Sequence, residues 1–370
     1  MRLLVVSPYW TYPEVAIEFL TRIAERGHSV IAIKACNEPK SVVFHRVGNV
    51  IIYEIQNLSI SAKVLGQKRY PYFINFNEIL RKLDYDVMIV QLPLFLTSLQ
   101  ALRMGEKMKK PIILEVHGIY ADRGFVLNLA QKAYLHAVGK WIFRKTSLIR
   151  CLTQQDARDL IRFGASPEKI RIIPNAVDTE KFKPSKVRRD DLIVWTGRFV
   201  PEKGVEYLIK AAKIVCENTC DCSFLLVGYG PLKQRILKLI SKYGIEQFVS
   251  VIGPLPREKI VEILKNATIF AFPSLREGMP ISVLEAMACG LPVIGTSVPG
   301  IKDIIMDGEN GILVPPKNPE KLADAILTLL NNKALRQKLG RNARELVLKK
   351  YSWEVVLDKV MKAYCEVLEE

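Results

Sequence analysis

Two glutamates eight positions apart, Glu277 and Glu285, carry the most specific chemistry in this chain of 370 residues. They lie within the stretch from Pro273 to Gly290, P-S-L-R-E-G-M-P-I-S-V-L-E-A-M-A-C-G. The apolar run from Thr268 to Phe272 ahead of it reads as a buried strand. Glu277-Gly278-Met279-Pro280 then forms a loop. Pro280 is expected as the first residue of a helix, where its missing N–H would be unpaired anyway, and Gly290 is expected to end that helix. A rise of 1.5 Å per residue puts the two carboxylates on the order of 12 Å apart along the axis. Between them the free first-turn amides make an anion site. A carboxylate beside a phosphate repels it, so Glu277 and Glu285 make sense as acceptors of hydroxyl hydrogen bonds. The pattern suits a ligand with hydroxyls at both ends and negative charge in the middle: a sugar–diphosphate–ribose.

Cations that could complete such a site come earlier. A strand over Leu192–Thr196 leads into a loop from Gly197 to Gly204, from which Arg198 and Lys203 extend. One guanidinium and one ammonium can neutralise a diphosphate without a divalent ion. Of the four histidines, only His117 has an active-site address, directly after a strand over Ile112–Val116. His28 falls in a helix–strand turn, His45 after a short strand and His136 within a helix. Asp84-Tyr-Asp86 has the D-x-D spacing of metal-binding pairs, but it lies between a helix and a strand and reads as turn residues.

Alternating strands and helices must position these residues. Over residues 1–174 the expected strands are Leu3–Val6, Val30–Ile33, Val87–Val90, Ile112–Val116, Leu148–Cys151 and Ile170–Ile173. The helices between them include Glu14–Glu25, Ser98–Lys109, Val126–Arg144 and Gln154–Phe163. A second series follows a charged linker, Lys181–Asp191, with strands at Leu192–Thr196, Phe224–Val227, Phe248–Ile252 and Pro292–Gly295. Helices are expected at Pro319–Asn331, Lys333–Lys350 and Trp353–Leu368. The fold class is therefore α/β, with doubly wound sheets whose ligands bind at the carboxyl ends of the strands. The domains are expected at 1–180 with 351–370, and at 190–350. No G-x-G-x-x-G follows the first strand, which disfavours a dinucleotide-binding dehydrogenase.

Composition narrows the class further. Apolar residues make up 49% and charged residues 25%, as in a globular protein rather than a disordered one. No apolar run approaches the ~20 residues that span a bilayer, and the start of the chain is too short for a signal peptide. A cytoplasmic location is expected, with peripheral attachment to the inner face of the membrane as the alternative. The seven cysteines have no zinc spacing, and Cys216, Cys220 and Cys222 read as thiols. Residues 1–185 hold 27 Lys and Arg against 16 Asp and Glu out of a whole-chain net charge of +16. That excess favours an anionic partner for the first half, such as a lipid-linked acceptor or a membrane surface, over nucleic acid. Aromatics interleave with cations from Lys63 to Phe76 and from Arg123 to Lys145. Either stretch reads equally well as a membrane-facing patch or as ordinary helix with its lysines in water.

The motif E-G-M-P-x-x-x-L-E-A-M-A-C-G-L-P-V-I resembles the signature of the group 1, family 4 retaining glycosyltransferases, which have the GT-B fold. His117-Gly118, Pro174-Asn-Ala-Val-Asp178, the Arg198–Lys203 loop, Val298-Pro-Gly-Ile301 and Asp307 to Val314 follow in that family's order. The resemblance implies two Rossmann-like domains facing a cleft, with the last helix crossing back to the first domain. It implies a hexosyl transfer from a UDP-, GDP- or ADP-sugar to an acceptor hydroxyl, with no metal and no other cofactor. Glu277, His117, Arg198 and Lys203 would serve the reaction. Glu285, Gly278, Met279, Pro280, Ile281, Leu255 and Gly197 would bind the donor. One departure stands out: Thr11-Tyr12-Pro13 replaces the Gly-Gly pair that the family usually carries before the residue matching Glu14. A catalytically silent nucleotide-sugar-binding subunit and a sugar-nucleotide epimerase of the same fold are the alternatives.

Overall fold

Short apolar runs bounded by helical segments become the parallel strands of two large sheets. The computed structural model describes residues 1–8, 13–36, 43–60, 70–91, 96–118, 129, 132–185, 191–219 and 221–369. The chain divides into two units, Met1–Ile173 with Leu357–Glu370, and Pro174–Val356.

In the first unit the strands are β1 (Arg2–Val6), β2 (Ser29–Ala35), β3 (Val43–Val47), β4 (Val50–Ile55), β5 (Asn57–Ile60), β6 (Tyr70–Phe73), β7 (Val87–Gln91), β8 (Ile112–Val116), β9 (Leu148–Cys151) and β10 (Ile170–Ile172). Eight of them form one sheet in the order β10-β9-β8-β7-β1-β2-β4-β3, while β5 and β6 pair as a separate antiparallel ribbon. Leu4, Val6, Ile33, Val90, Leu114 and Ile149 are buried in its core. Such runs are apolar throughout because helices cover both faces of a parallel sheet.

Two features depart from expectation. His45 lies inside β3 rather than after a strand, because Val43–Val47 pairs antiparallel with Val50–Ile55 across the Gly48-Asn49 turn. Where one regular α-helix was expected over Val126–Arg144, the described part is helical from 132 to 145 but carries a π-helical turn at Leu135–Gly139. Thr11 and Tyr12, residues 63–69, and residues 123–128, 130 and 131 lie outside the described residues.

The second unit holds β11 (Leu192–Arg198), β12 (Ser223–Tyr229), β13 (Val249–Ile252), β14 (Ile269–Phe272), β15 (Val293–Thr296) and β16 (Ile312–Val314), all parallel, in the order β13-β12-β11-β14-β15-β16. From β11 the chain builds outward to β13 on one side. It then returns to lay β14 on the other side of β11 and builds outward to β16. The boundary between β11 and β14 is thus a topological switch point, the place beyond the carboxyl ends of the strands where ligands of open α/β sheets bind. The last helix, Trp353–Glu369, belongs to the first unit from Leu357 onward. The Sγ atoms of Cys216 and Cys222 lie 3.9 Å apart, too far for a disulfide between them.

Candidate functional site

The loops after β11 and β14 leave the switch point and are stitched together at once. Beyond Arg198 a short turn, Pro201–Lys203, leads to Gly204, which takes φ +61° before the helix Val205–Asn218. A Cβ at Gly204 would lie 2.1 Å from the Pro273 carbonyl oxygen, so only glycine allows this approach. Alongside, the Leu275 N–H donates to the Glu202 carbonyl at 2.8 Å.

That stitching brings Lys203 Nζ to 2.5 Å from Glu277 Oε1, with the side chains only 14% and 8% exposed. Ser274 Oγ donates to the same carboxylate oxygen at 2.6 Å, and the Phe272 ring centroid lies 5.2 Å from the ammonium. Behind the loop, Gly300 takes φ +81°, and a Cβ there would lie 2.1 Å from the Gly278 carbonyl oxygen. Val298-Pro-Gly-Ile301 is thereby a backing for the Glu277–Gly278 peptide. Arg198 ends β11 in register with Tyr229 of β12, and its Nε is buried with no hydrogen-bond partner among the described residues. A buried donor on a charged group that no protein atom meets calls for a water, an ion or a ligand.

The helix that follows spans Ile281–Ala288. Pro280 is not its first residue: its ψ of 114° leaves it extended in the capping position, and its carbonyl accepts the first helical bond from the Leu284 N–H. No side chain caps this end, so the first-turn amides keep their positive dipole end for a ligand. Met279 is held from the side by Asn175, whose Nδ2 donates to the Met279 carbonyl at 3.0 Å. The backbone N–H of Asn175 points at Met279 Sδ, 3.2 Å away. Gly197, expected in a loop, lies inside β11 opposite Gly228, because the strand continues to Arg198. Leu255 is half-buried in the loop after β13.

Glu285 does not share the Glu277 ion pair. It is buried, and its Oε1 lies 2.7 Å from Arg257 Nη2. The Arg257 guanidinium in turn packs 5.2 Å from the centroid of the Phe182 ring. Arg257 escaped the reading of the sequence. The available signal was physical: a glutamate inside the apolar helix Ile281–Ala288 needs a cation if it is to be buried.

His117 belongs to the first unit, directly after β8. Its side chain is 40% exposed, and Nε2 lies 3.9 Å from Glu115 Oε2. Glu115 itself is wholly buried and accepts from Arg150 at 2.6 Å, Tyr364 at 2.7 Å and Gln91 at 2.8 Å. Burial alone would push its carboxyl up, but Arg150, His117 and Tyr364 together hold it well below the usual carboxylate range. Asp84 and Asp86 pair with Arg2 at the opposite, amino end of β1, as turn residues would. Among the described residues no three His, Cys, Asp or Glu side chains cluster as metal ligands. No helix among them is long and apolar enough to cross a membrane.

Comparison with known proteins bears on the family and the fold. The family model for glycosyl transferases group 1 matches residues 176–346, and that for glycosyltransferase family 4 matches residues 14–181. Alpha-D-kanosaminyltransferase of Streptomyces kanamyceticus is 32% identical over 253 residues, covering 65% of this chain and 64% of that enzyme. The sucrose-phosphate synthase structure from Thermosynechococcus elongatus superposes with a TM-score of 0.82 at 21% identity, covering 100% of this chain and 99% of that one. Anabaena HepE, solved with UDP-glucose, gives a TM-score of 0.75 at 18% identity with full coverage of both chains. The fold is GT-B, with two Rossmann-like α/β units.

Proposed function

Because this chain belongs to the group 1 glycosyltransferases, we propose that it moves a sugar from a nucleoside-diphosphate donor to an acceptor hydroxyl. The observation that carries the reading is the Lys203–Glu277 pair at the switch point, beside an uncapped helix start and the unmade Arg198 Nε bond. With donor bound, the Lys203 ammonium and Arg198 guanidinium face the diphosphate, while the Met279–Ile281 backbone presents its amides to it. Glu277 accepts from sugar hydroxyls and Glu285 from the ribose. As the glycosidic bond breaks, charge grows on the leaving phosphate oxygen, and fixed cations and helix amides stabilise it there. In this reading the charge is met without a metal, and configuration at the anomeric carbon is retained. The leaving phosphate takes the acceptor's proton.

The binding of UDP-glucose by HepE makes a UDP-sugar the first donor to try. The basic excess of the first half favours an anionic acceptor, such as a lipid-linked sugar at the cytoplasmic membrane face. The test is incubation with UDP-, GDP- and ADP-glucose, with and without EDTA. Melting temperature and release of nucleoside diphosphate are followed together with NMR of the product anomer. One base series should raise the melting temperature by mass action and be cleaved in EDTA with retention. No shift and no cleavage with any donor would overturn the reading.

A further inference from the structure

The residue that decides how Glu285 can serve a ribose is Arg257. We infer that Arg257 is a positioning residue for donor recognition, fixing the Glu285 carboxylate so that it reads the ribose hydroxyls. The inference rests on the donor reading above and adds to it a residue, a contact and a specificity.

Three observations converge on this position. Glu285 sits inside an apolar helix and is buried, so its carboxylate has little water around it. Arg257 meets it at 2.7 Å through Nη2, and a guanidinium presents its donors in a rigid plane, unlike a flexible ammonium. The guanidinium is itself held by the ring of Phe182, a fully buried residue whose carbonyl accepts from Arg344 at 2.9 Å. Phe182 therefore braces Arg257, and Arg257 holds Oε1 of Glu285. Next to it the exposed Lys181–Glu258 pair, at 2.9 Å, ties the same segment to the start of the Arg257–Asn266 helix.

Position in the chain gives this brace its consequence. Arg257 opens the helix Arg257–Asn266, two residues after Leu255, which the family resemblance places among the donor-binding residues. It thus links the segment after Leu255 to the Glu285 carboxylate. A carboxylate held in one orientation discriminates a hydroxyl from a hydrogen, because the wrong ligand leaves a buried acceptor with a bond fewer. A carboxylate free to turn does so much less.

The experiment is calorimetric titration of the intact protein with UDP, GDP and ADP and their 2′-deoxy and 3′-deoxy counterparts. It is repeated for Arg257→Ala, Arg257→Lys and Glu285→Gln. For the nucleotide that binds best, the wild type should prefer ribose over one of the deoxy forms by about 10-fold or more, the worth of a hydrogen bond to a charged group. Glu285→Gln should bring that ratio near unity. Arg257→Ala should reduce it to about 3-fold or less, well under the worth of one such bond, and Arg257→Lys should fall between the two. Arg257→Lys keeps a cation beside Glu285 and so serves if Arg257→Ala fails to fold. An arginine that merely stabilised the fold would weaken ribose and deoxyribose ligands equally. An unchanged ratio in Arg257→Lys and Arg257→Ala would overturn the inference while leaving the donor reading standing. Failure of all nucleotides to bind the wild type would overturn both.

Discussion

Lys203 Nζ and Glu277 Oε1 stand 2.5 Å apart at the end of two neighbouring strands, 74 positions apart in sequence and nearly closed to solvent. Breaking a buried pair on one side costs about 3–5 kcal/mol, whereas replacing both partners with apolar side chains is often neutral. Lys203→Met and Glu277→Met should therefore each destabilise the second unit in urea, and the double variant should recover most of that loss. Activity should behave otherwise. Each single variant and the double should lose about 100-fold or more in kcat, the usual cost of removing one preorganised group at developing charge. Recovered activity in the double variant would show the pair to be structural.

Gly204 offers a test of the stitching itself. In Gly204→Ala the new Cβ would lie 2.1 Å from the Pro273 carbonyl oxygen, at a φ of +61°. Strain of that kind costs on the order of 1–3 kcal/mol. The variant should fold with a lower urea midpoint and bind donor more weakly, since Pro273 leads directly into the Glu277 loop. Wild-type donor affinity would contradict the link between that approach and the site.

The buried cluster of the first unit fixes a pH window. Glu115 titrates well below its ordinary 4.5, so its contribution is fully present above that value. The contribution is lost as pH falls through the depressed folded value. Burial first, then Glu115, raises the Tyr364 hydroxyl well above its ordinary 10.0. Its contribution is present below pH 10.0 and lost as pH rises toward the folded value. Tyr364→Phe should lower stability by about 1.5–3 kcal/mol at pH 7, the worth of a hydrogen bond to a charged acceptor. It should also flatten the alkaline limb above pH 10 by about 1.4 kcal/mol per pH unit, the value of one proton. Urea titrations followed by circular dichroism from pH 5 to 11 check both. An alkaline limb unchanged in the variant would contradict the cluster's role.

Much of this architecture could be read from residues. Leu3–Val6, Ile112–Val116 and Leu148–Cys151 appear as strands because a sheet covered on both faces writes itself as an unbroken apolar run. The two long helices Pro319–Asn331 and Lys333–Lys350 appear at their observed limits, each with an asparagine cap and 3.6-residue periodicity. The β3–β4 hairpin was missed, although Gly48-Asn49 between two β-branched runs is a hairpin signal; half-exposed edge strands lack the continuous apolar pattern. Types of site residue were also readable, but not their partners. Lys203 was expected to face a diphosphate, yet which carboxylate holds it without ligand depends on β11 lying beside β14, a matter of sheet order. Arg257 was missed for the same reason, since its partner Glu285 follows a strand three places away in the sheet.

The central claim is that a helix start and two cations at the switch point between β11 and β14 hold a pyrophosphate. It is tested most directly by comparing a nucleoside diphosphate with its monophosphate in the wild type and in Arg198→Ala, by calorimetry at one fixed salt concentration. The wild type should bind the diphosphate about 10-fold tighter or better, since each charge-assisted contact is worth about 1.5–3 kcal/mol. Arg198→Ala should bring the two ligands to within about 3-fold of each other, a residue below the worth of one such contact, with little change in melting temperature because Arg198 Nε makes no internal bond among the described residues. An advantage for the diphosphate that survives intact in Arg198→Ala would contradict the account.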